Sequence, residues 1–96
     1  MVIIVRDQDV TLDEPADFKG FKVVVESGDG SGLFAVGRLA HRDTAWINAD
    51  AVRRLAGDAA NQQWEEGFAA MLDYAKTKGW LDDAGDIQAH VEWETG

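Results

Sequence analysis

Ala59–Trp80 reads AANQQWEEGFAAMLDYAKTKGW, and the placement of its apolar residues sets the architecture expected of the whole chain. At 100° per residue, Trp64, Phe68, Met71, Leu72 and Ala75 fall in one stripe about 100° wide. Glu66 and Asp73 project from the opposite side, with Glu65 and Lys76 at the stripe's margin. The spacing predicts an amphipathic helix over Ala59–Lys78, about 20 residues and roughly 30 Å long, with its stripe buried in the core. Asp58 stands where a carboxylate can accept hydrogen bonds from the first free backbone N–H groups. Lys76 and Lys78 suit the negative end of the helix dipole. Gly79 can take the left-handed conformation that closes a helix, and Trp80 then folds back toward Ala75. Gly67 is the exception, because a mid-helix glycine costs about 1 kcal/mol relative to alanine. It reads as a glycine tolerated beside bulky Trp64 and Phe68; the alternative is close approach of another backbone or a ligand.

A helix with one apolar stripe needs a surface to cover, and the flanking sequence supplies strands. Val2–Val5 (VIIV) is apolar without a break, the pattern of a strand that is central or buried on both faces. Asp7–Gly20 holds five carboxylates, one lysine and the only proline. Its acids lack the alternating ligands, central glycine and closing glutamate of a calcium loop. It reads as a solvated connection pinned by Val10, Leu12 and Phe18. In Phe21–Ser27, Phe21, Val23 and Val25 face one way and Lys22, Val24 and Glu26 the other. Gly28–Gly32 (GDGSG) and a strand-like Leu33–Leu39 then predict a hairpin. A phosphate cradle would lead into a helix, whereas this loop leads into a strand, no lysine follows it, and Asp29 repels phosphate.

Ala40–Asp43 makes a tight connection to a short strand at Thr44–Ile47. Asn48 caps a helix over Ala49–Ala56 that Gly57 closes, with Val52, Leu55 and Ala56 inward and Arg53 and Arg54 outward. Asp50 lies four residues before Arg54, the spacing of a weak ion pair. After a loop at Leu81–Asp86, Ile87–Trp93 alternates Ile87, Ala89, Val91 and Trp93 against Gln88, His90 and Glu92. The expected fold is a single α+β domain: a mostly antiparallel sheet of four to five strands with both helices on one face. Consecutive strands usually pair, which joins the Phe21, Leu33 and Thr44 strands in a meander.

Composition narrows the functional classes. Ninety-six residues, 46% of them hydrophobic, suit one globular domain. No apolar run is long enough to cross a membrane and no signal-peptide pattern is present, so a cytoplasmic protein is expected. The absence of cysteine excludes disulfides, thiol catalysis and cysteine-ligated metal sites. A net charge of −9 argues against nucleic-acid or anionic-membrane partners, which need a surplus of lysine and arginine.

Two pairs of residues carry possible chemistry. His90 and Glu92 share a strand face, so an imidazole and a carboxylate reach one space. The H-x-E spelling of zinc deaminases is there, but not their downstream cysteines. His41 and Asp43 lie in one turn, a place for an acid–base dyad, with no evident nucleophile nearby. Solvation is the simpler account of both pairs. Two histidines without cysteine rarely close a metal site, so no metal or other cofactor is expected.

Binding is better supplied. Four tryptophans (Trp46, Trp64, Trp80 and Trp93) are many for this length, and Trp93, near the C-terminal end, is the expected interface anchor. Arg38, Arg42, Arg53 and Arg54 against Asp43 and Asp50 give Arg38–Arg54 a net charge of +2, leaving −11 for the rest. Such a zone suits an anionic ligand or an acidic partner surface. The leading expectation is a non-enzymatic interaction module that self-associates as a homodimer. The alternatives are a small enzyme or ligand-binding protein using His90 or His41 as acid–base group, and an acidic inhibitor or immunity-type protein that blocks a basic partner.

Overall fold

In the computed structural model, which describes residues 1–94, the chain forms one mixed six-stranded sheet and two α-helices. Strand β1 (Val2–Arg6) turns back through Asp7 and Gln8 into β2 (Asp9–Asp13), and the two pair antiparallel with Arg6 opposite Asp9. Asp7 takes φ 54° in that turn, a left-handed conformation that aspartate tolerates better than most residues. Strand β3 (Lys22–Ser27) pairs parallel with β1 on one side and with β6 (Ile87–Trp93) on the other. Strand β6 pairs antiparallel with β5 (Thr44–Ile47), and β5 antiparallel with β4 (Gly37–His41). The order is β2-β1-β3-β6-β5-β4.

Helix α1 (Ala49–Ala56) follows β5 directly. Its N-cap Asn48 accepts from the Ala51 N–H at 2.9 Å, and Gly57 closes it. A 3₁₀ turn, Gly57–Ala59, leads to α2 (Gln62–Thr77), whose N-cap Asn61 accepts from the Trp64 N–H at 2.9 Å. At its far end Gly79 has φ 78° and the Trp80 N–H reaches back to the Ala75 carbonyl at 2.9 Å, a left-handed stop of the expected kind.

One face of the sheet is the core. Ile3, Val5, Val23, Val25, Ala45, Ile47, Ile87, Ala89 and Val91 are buried on it, and Ala51, Val52, Trp64 and Phe68 of the helices join them in a single cluster. Trp64 stacks on Phe68 with ring centroids 4.8 Å apart, and its indole N–H donates to the Pro15 carbonyl at 2.7 Å. That bond ties α2 to the segment between β2 and β3. A 3₁₀ turn at Ser31–Ala35, with Leu33 fully buried, touches both β2 and β4, the two edge strands, so the sheet curls around its core. The radius of gyration is 12.5 Å, as expected for a compact chain of this length.

The α+β class, the mostly antiparallel sheet, α1 and β6 agree with the sequence. Several details are corrected. The sheet has six strands, because Asp9–Asp13 (DVTLD) is a strand with Val10 and Leu12 turned inward rather than part of a solvated connection. Leu33–Leu39 is not one strand, and β3 forms no hairpin with β4. Val23, Val24 and Val25 are all buried, which makes β3 an interior strand whose two edges are already taken by β1 and β6. The meander therefore fails, and β4 sits at the far edge. The long helix starts at Gln62, not Ala59. Asp58 belongs to the 3₁₀ turn, and the capping acceptor is the Asn61 amide oxygen. Asp50 pairs with Arg53 (2.7 Å), three residues on, not with Arg54.

Candidate functional site

An apolar concavity begins on the flank of α2. Gly67, Ala70 and Tyr74 lie along that flank beside the core stripe, with Met71 of the stripe at its margin, and Phe18 and Lys19 face them across a shelf of about 530 Å³. An added Cβ at Gly67 would collide with the Phe18 ring, so the glycine is where that ring seats. The close approach is made by a side chain of the same chain, neither a backbone nor a ligand. The shelf narrows into a cleft of about 230 Å³ between Phe18, Phe21, Met71, Tyr74 and Trp80.

Trp80 forms the far wall. Its carbonyl accepts from the Gln88 N–H at 2.7 Å, and Leu81 bridges Ile87, so the residues after α2 are laid against the start of β6. Tyr74 and Trp80 meet edge to face at 6.0 Å, and both are solvent-facing, 57% and 44% exposed. Beyond Trp80 the surface opens into a hollow of about 340 Å³ lined by Phe21, Trp80, Gln88, His90, Asp43 and Thr44. Shelf and cleft share Phe18, Lys19, Met71 and Tyr74, and cleft and hollow share Phe21, Trp80 and Gln88, so the three lie in a row along one groove with Trp80 between the last two. Lys19 lies at its α2 end, and the Lys78 ammonium sits 5.5 Å from the Tyr74 ring centroid.

The groove takes in some of the residues singled out from sequence. His90 and Asp43 line the same hollow. The Asp43 carboxylate accepts from the Thr44 hydroxyl at 3.2 Å. That hydroxyl is thus directed at a carboxylate rather than an imidazole. His41 stands opposite Thr44, which stands opposite His90, so the histidines occupy one row with β5 between them. Glu92 shares the exposed face of β6 with His90 but is held by the Lys22 ammonium at 3.3 Å. No group of three metal-ligating side chains is assembled among the described residues.

The four arginines do not form one open patch. Arg38 binds Asp82 (2.9 Å) and Asp86 (2.8 Å) and lies 5.7 Å from the Trp46 ring centroid. Arg53 binds Glu65 (2.9 Å) and Asp50 (2.7 Å) and lies 5.1 Å from the Phe68 ring. Their carboxylate partners push both guanidinium pKa values further up, and Arg38 with two backbone N–H groups holds Asp82 below its ordinary value. Arg42 covers Trp93 at 4.8 Å. Arg54 shares a shallow hollow with Arg38, Phe34, Asp50 and Asp86, so these two arginines come together while Arg42 and Arg53 stand elsewhere. Trp93 itself donates its indole N–H to the Arg42 carbonyl at 2.5 Å, and its ring tip abuts Gly30, where a Cβ would come within 2.6 Å.

Tyr74, Phe21 and Gln88 join the groove without having been singled out by any motif in the sequence. Tyr74 had a legible sign, since it falls on the same helical row as Gly67, at the core stripe's edge. No helix among the described residues is long and apolar enough to cross a membrane. Compared with protein-family models, curated proteins and solved structures, the chain has no match in any of the three.

Proposed function

We propose that this protein is a non-enzymatic interaction module that docks a partner protein in the aromatic groove between α2 and the Phe18–Phe21 segment. The observation that carries the reading is the Tyr74–Trp80 pair, two large rings left in solvent at the mouth of an apolar cleft. Exposed aromatic clusters of this kind mark interaction sites, and buried tryptophan and tyrosine anchors dominate interface energetics. Trp93 is a weaker anchor than its sequence position suggested, because Arg42 and Gly30 already cover its ring. A second copy is also a poor occupant. Each chain carries −9, and like charge opposes association.

A second reading, a small ligand-binding protein or enzyme, is favoured by the presence of His90 and Asp43 in the hollow at the end of the same groove. The two readings separate on the length of groove used. A protein partner spans the shelf and cleft, whereas a small ligand needs the hollow alone.

The test is site-specific photo-crosslinking in the cells that make the protein. A photoreactive residue replacing Trp80 or Tyr74 should give one discrete adduct, and the same residue at Glu66, on the opposite side of α2, should give none. An adduct of twice the chain mass identifies a second copy, and any other discrete mass a different protein. No adduct at Trp80 and Tyr74, or the same products from Glu66, would overturn the reading.

A further inference from the structure

We infer that the hollow at the end of the groove is a guanidinium-binding site, built to take an arginine side chain of the partner against Trp80 and Asp43. This inference deepens the docking reading and rests on it. The chain assembles the same chemistry twice from its own residues. Arg38 lies over the Trp46 ring while binding Asp82 and Asp86, and Arg53 lies over the Phe68 ring while binding Glu65 and Asp50. In each case a planar cation is held by an aromatic face and carboxylates together, the combination that suits guanidinium better than ammonium.

The hollow repeats two of those three parts. Phe21 and Trp80 supply aromatic rings, and Asp43 supplies the carboxylate. Among the described residues that carboxylate has one side-chain partner, the Thr44 hydroxyl. Trp80 is likewise singular. Trp46 and Trp93 each carry an arginine, and Trp64 is buried against Phe68, but no cation of the chain covers the Trp80 ring among the described residues. Lys22, which stands opposite His90, spends its ammonium on Glu92. Gln88 adds an amide oxygen that can accept from the remaining N–H groups of a guanidinium. The volume, about 340 Å³, admits an amino-acid side chain, and the chain's overall negative charge draws a basic segment toward it.

The experiment compares N-acetyl-arginine amide with N-acetyl-citrulline amide, which has a neutral urea in place of the guanidinium. Binding is read by nuclear magnetic resonance at the Trp80 indole N–H and the Gln88 amide. The arginine probe should shift both signals and bind at least about tenfold more tightly than citrulline, as expected when a charged pair over an aromatic face is lost. Asp43→Asn keeps the shape and the Thr44 contact and should abolish the preference. Equal binding of the two probes, a preference that survives Asp43→Asn, or shifts that miss Trp80 would each overturn the site. A Leu-Leu-Arg peptide amide forms the second arm. It should bind more tightly than the single residue, and Tyr74→Ala should remove that gain. Preference without the gain refutes docking along the groove and identifies a free guanidinium compound as the ligand. Gain without the preference refutes the guanidinium site and leaves the docking reading standing.

Discussion

At Gly67 the propensity of a helix and the packing of its neighbour pull in opposite directions. Alanine would gain up to about 1 kcal/mol of helix propensity. Its methyl group would also meet the Phe18 ring, which packs on Trp64 at a centroid distance of 5.9 Å, and overpacking of this kind costs about 1–3 kcal/mol. Gly67→Ala should therefore destabilise by about 1 kcal/mol in urea melts, and in a Phe18→Ala background it should become stabilising. A stabilising effect in the native background would show that the ring moves aside without loss. Arg38 makes a second single-residue case, because it fastens the Leu81–Asp86 loop to β4 through Asp82 and Asp86. Asp82 is held below its ordinary value of 3.8, first by Arg38 and then by the N–H groups of Asp86 and Ala84. A carboxyl with a depressed folded-state pKa contributes stability above its unfolded value, and that contribution is lost as the pH falls through the folded one. Arg38→Ala should thus lower the unfolding midpoint at neutral pH, and the gap to the unmodified protein should close under acid. Asp82→Asn keeps an acceptor for the two N–H groups and should show the same closing gap. A gap constant with pH would mean that the pair contributes packing and not charge.

Helix α2 shows how an element inherits its stability from one face. Trp64 and Phe68 are buried and stacked, whereas Glu66 is exposed on the other side. Trp64→Ala and Phe68→Ala should each cost about 3–5 kcal/mol, and Glu66→Ala less than about 0.5 kcal/mol. Similar urea midpoints for Trp64→Ala and Glu66→Ala would reverse the assignment of faces. That face was legible because its periodicity is local, and so were α1, with its Asn48 cap, and the alternation of β6. β2 was masked by its acids: Asp9, Thr11 and Asp13 alternate with Val10 and Leu12, but polar residues at every other position, two of them carboxylates, suggest solvent before they suggest an edge strand. Its turn uses Asp7–Gln8 in place of the usual glycine-containing pair. The partners of β3 were not legible, since parallel pairing joins strands far apart in the chain and leaves no turn between them to read. The groove was hidden for a similar reason. Its walls come from Phe18–Phe21, from Asp43 and Thr44, from Gly67–Trp80 and from Gln88–His90, and no local pattern announces that these meet.

For the molecule as a whole, charge and topology set the terms. The positive charges of Arg6, Arg38 and Arg53 are matched locally by internal ion pairs, so the outward field carries the net charge of −9 and selects among partners by sign. Topology has a different effect. The sheet is two unequal parts, β2-β1-β3 and β5-β4, joined only by β6 between them. During synthesis, everything up to Asp86 leaves the ribosome before the strand that unites those parts. Until Ile87–Trp93 arrives, β3 and β5 each present a bare row of backbone donors and acceptors, an invitation to pair with another nascent chain. The fold is thus closed at its centre by the seven residues of β6, which are made after every other described strand.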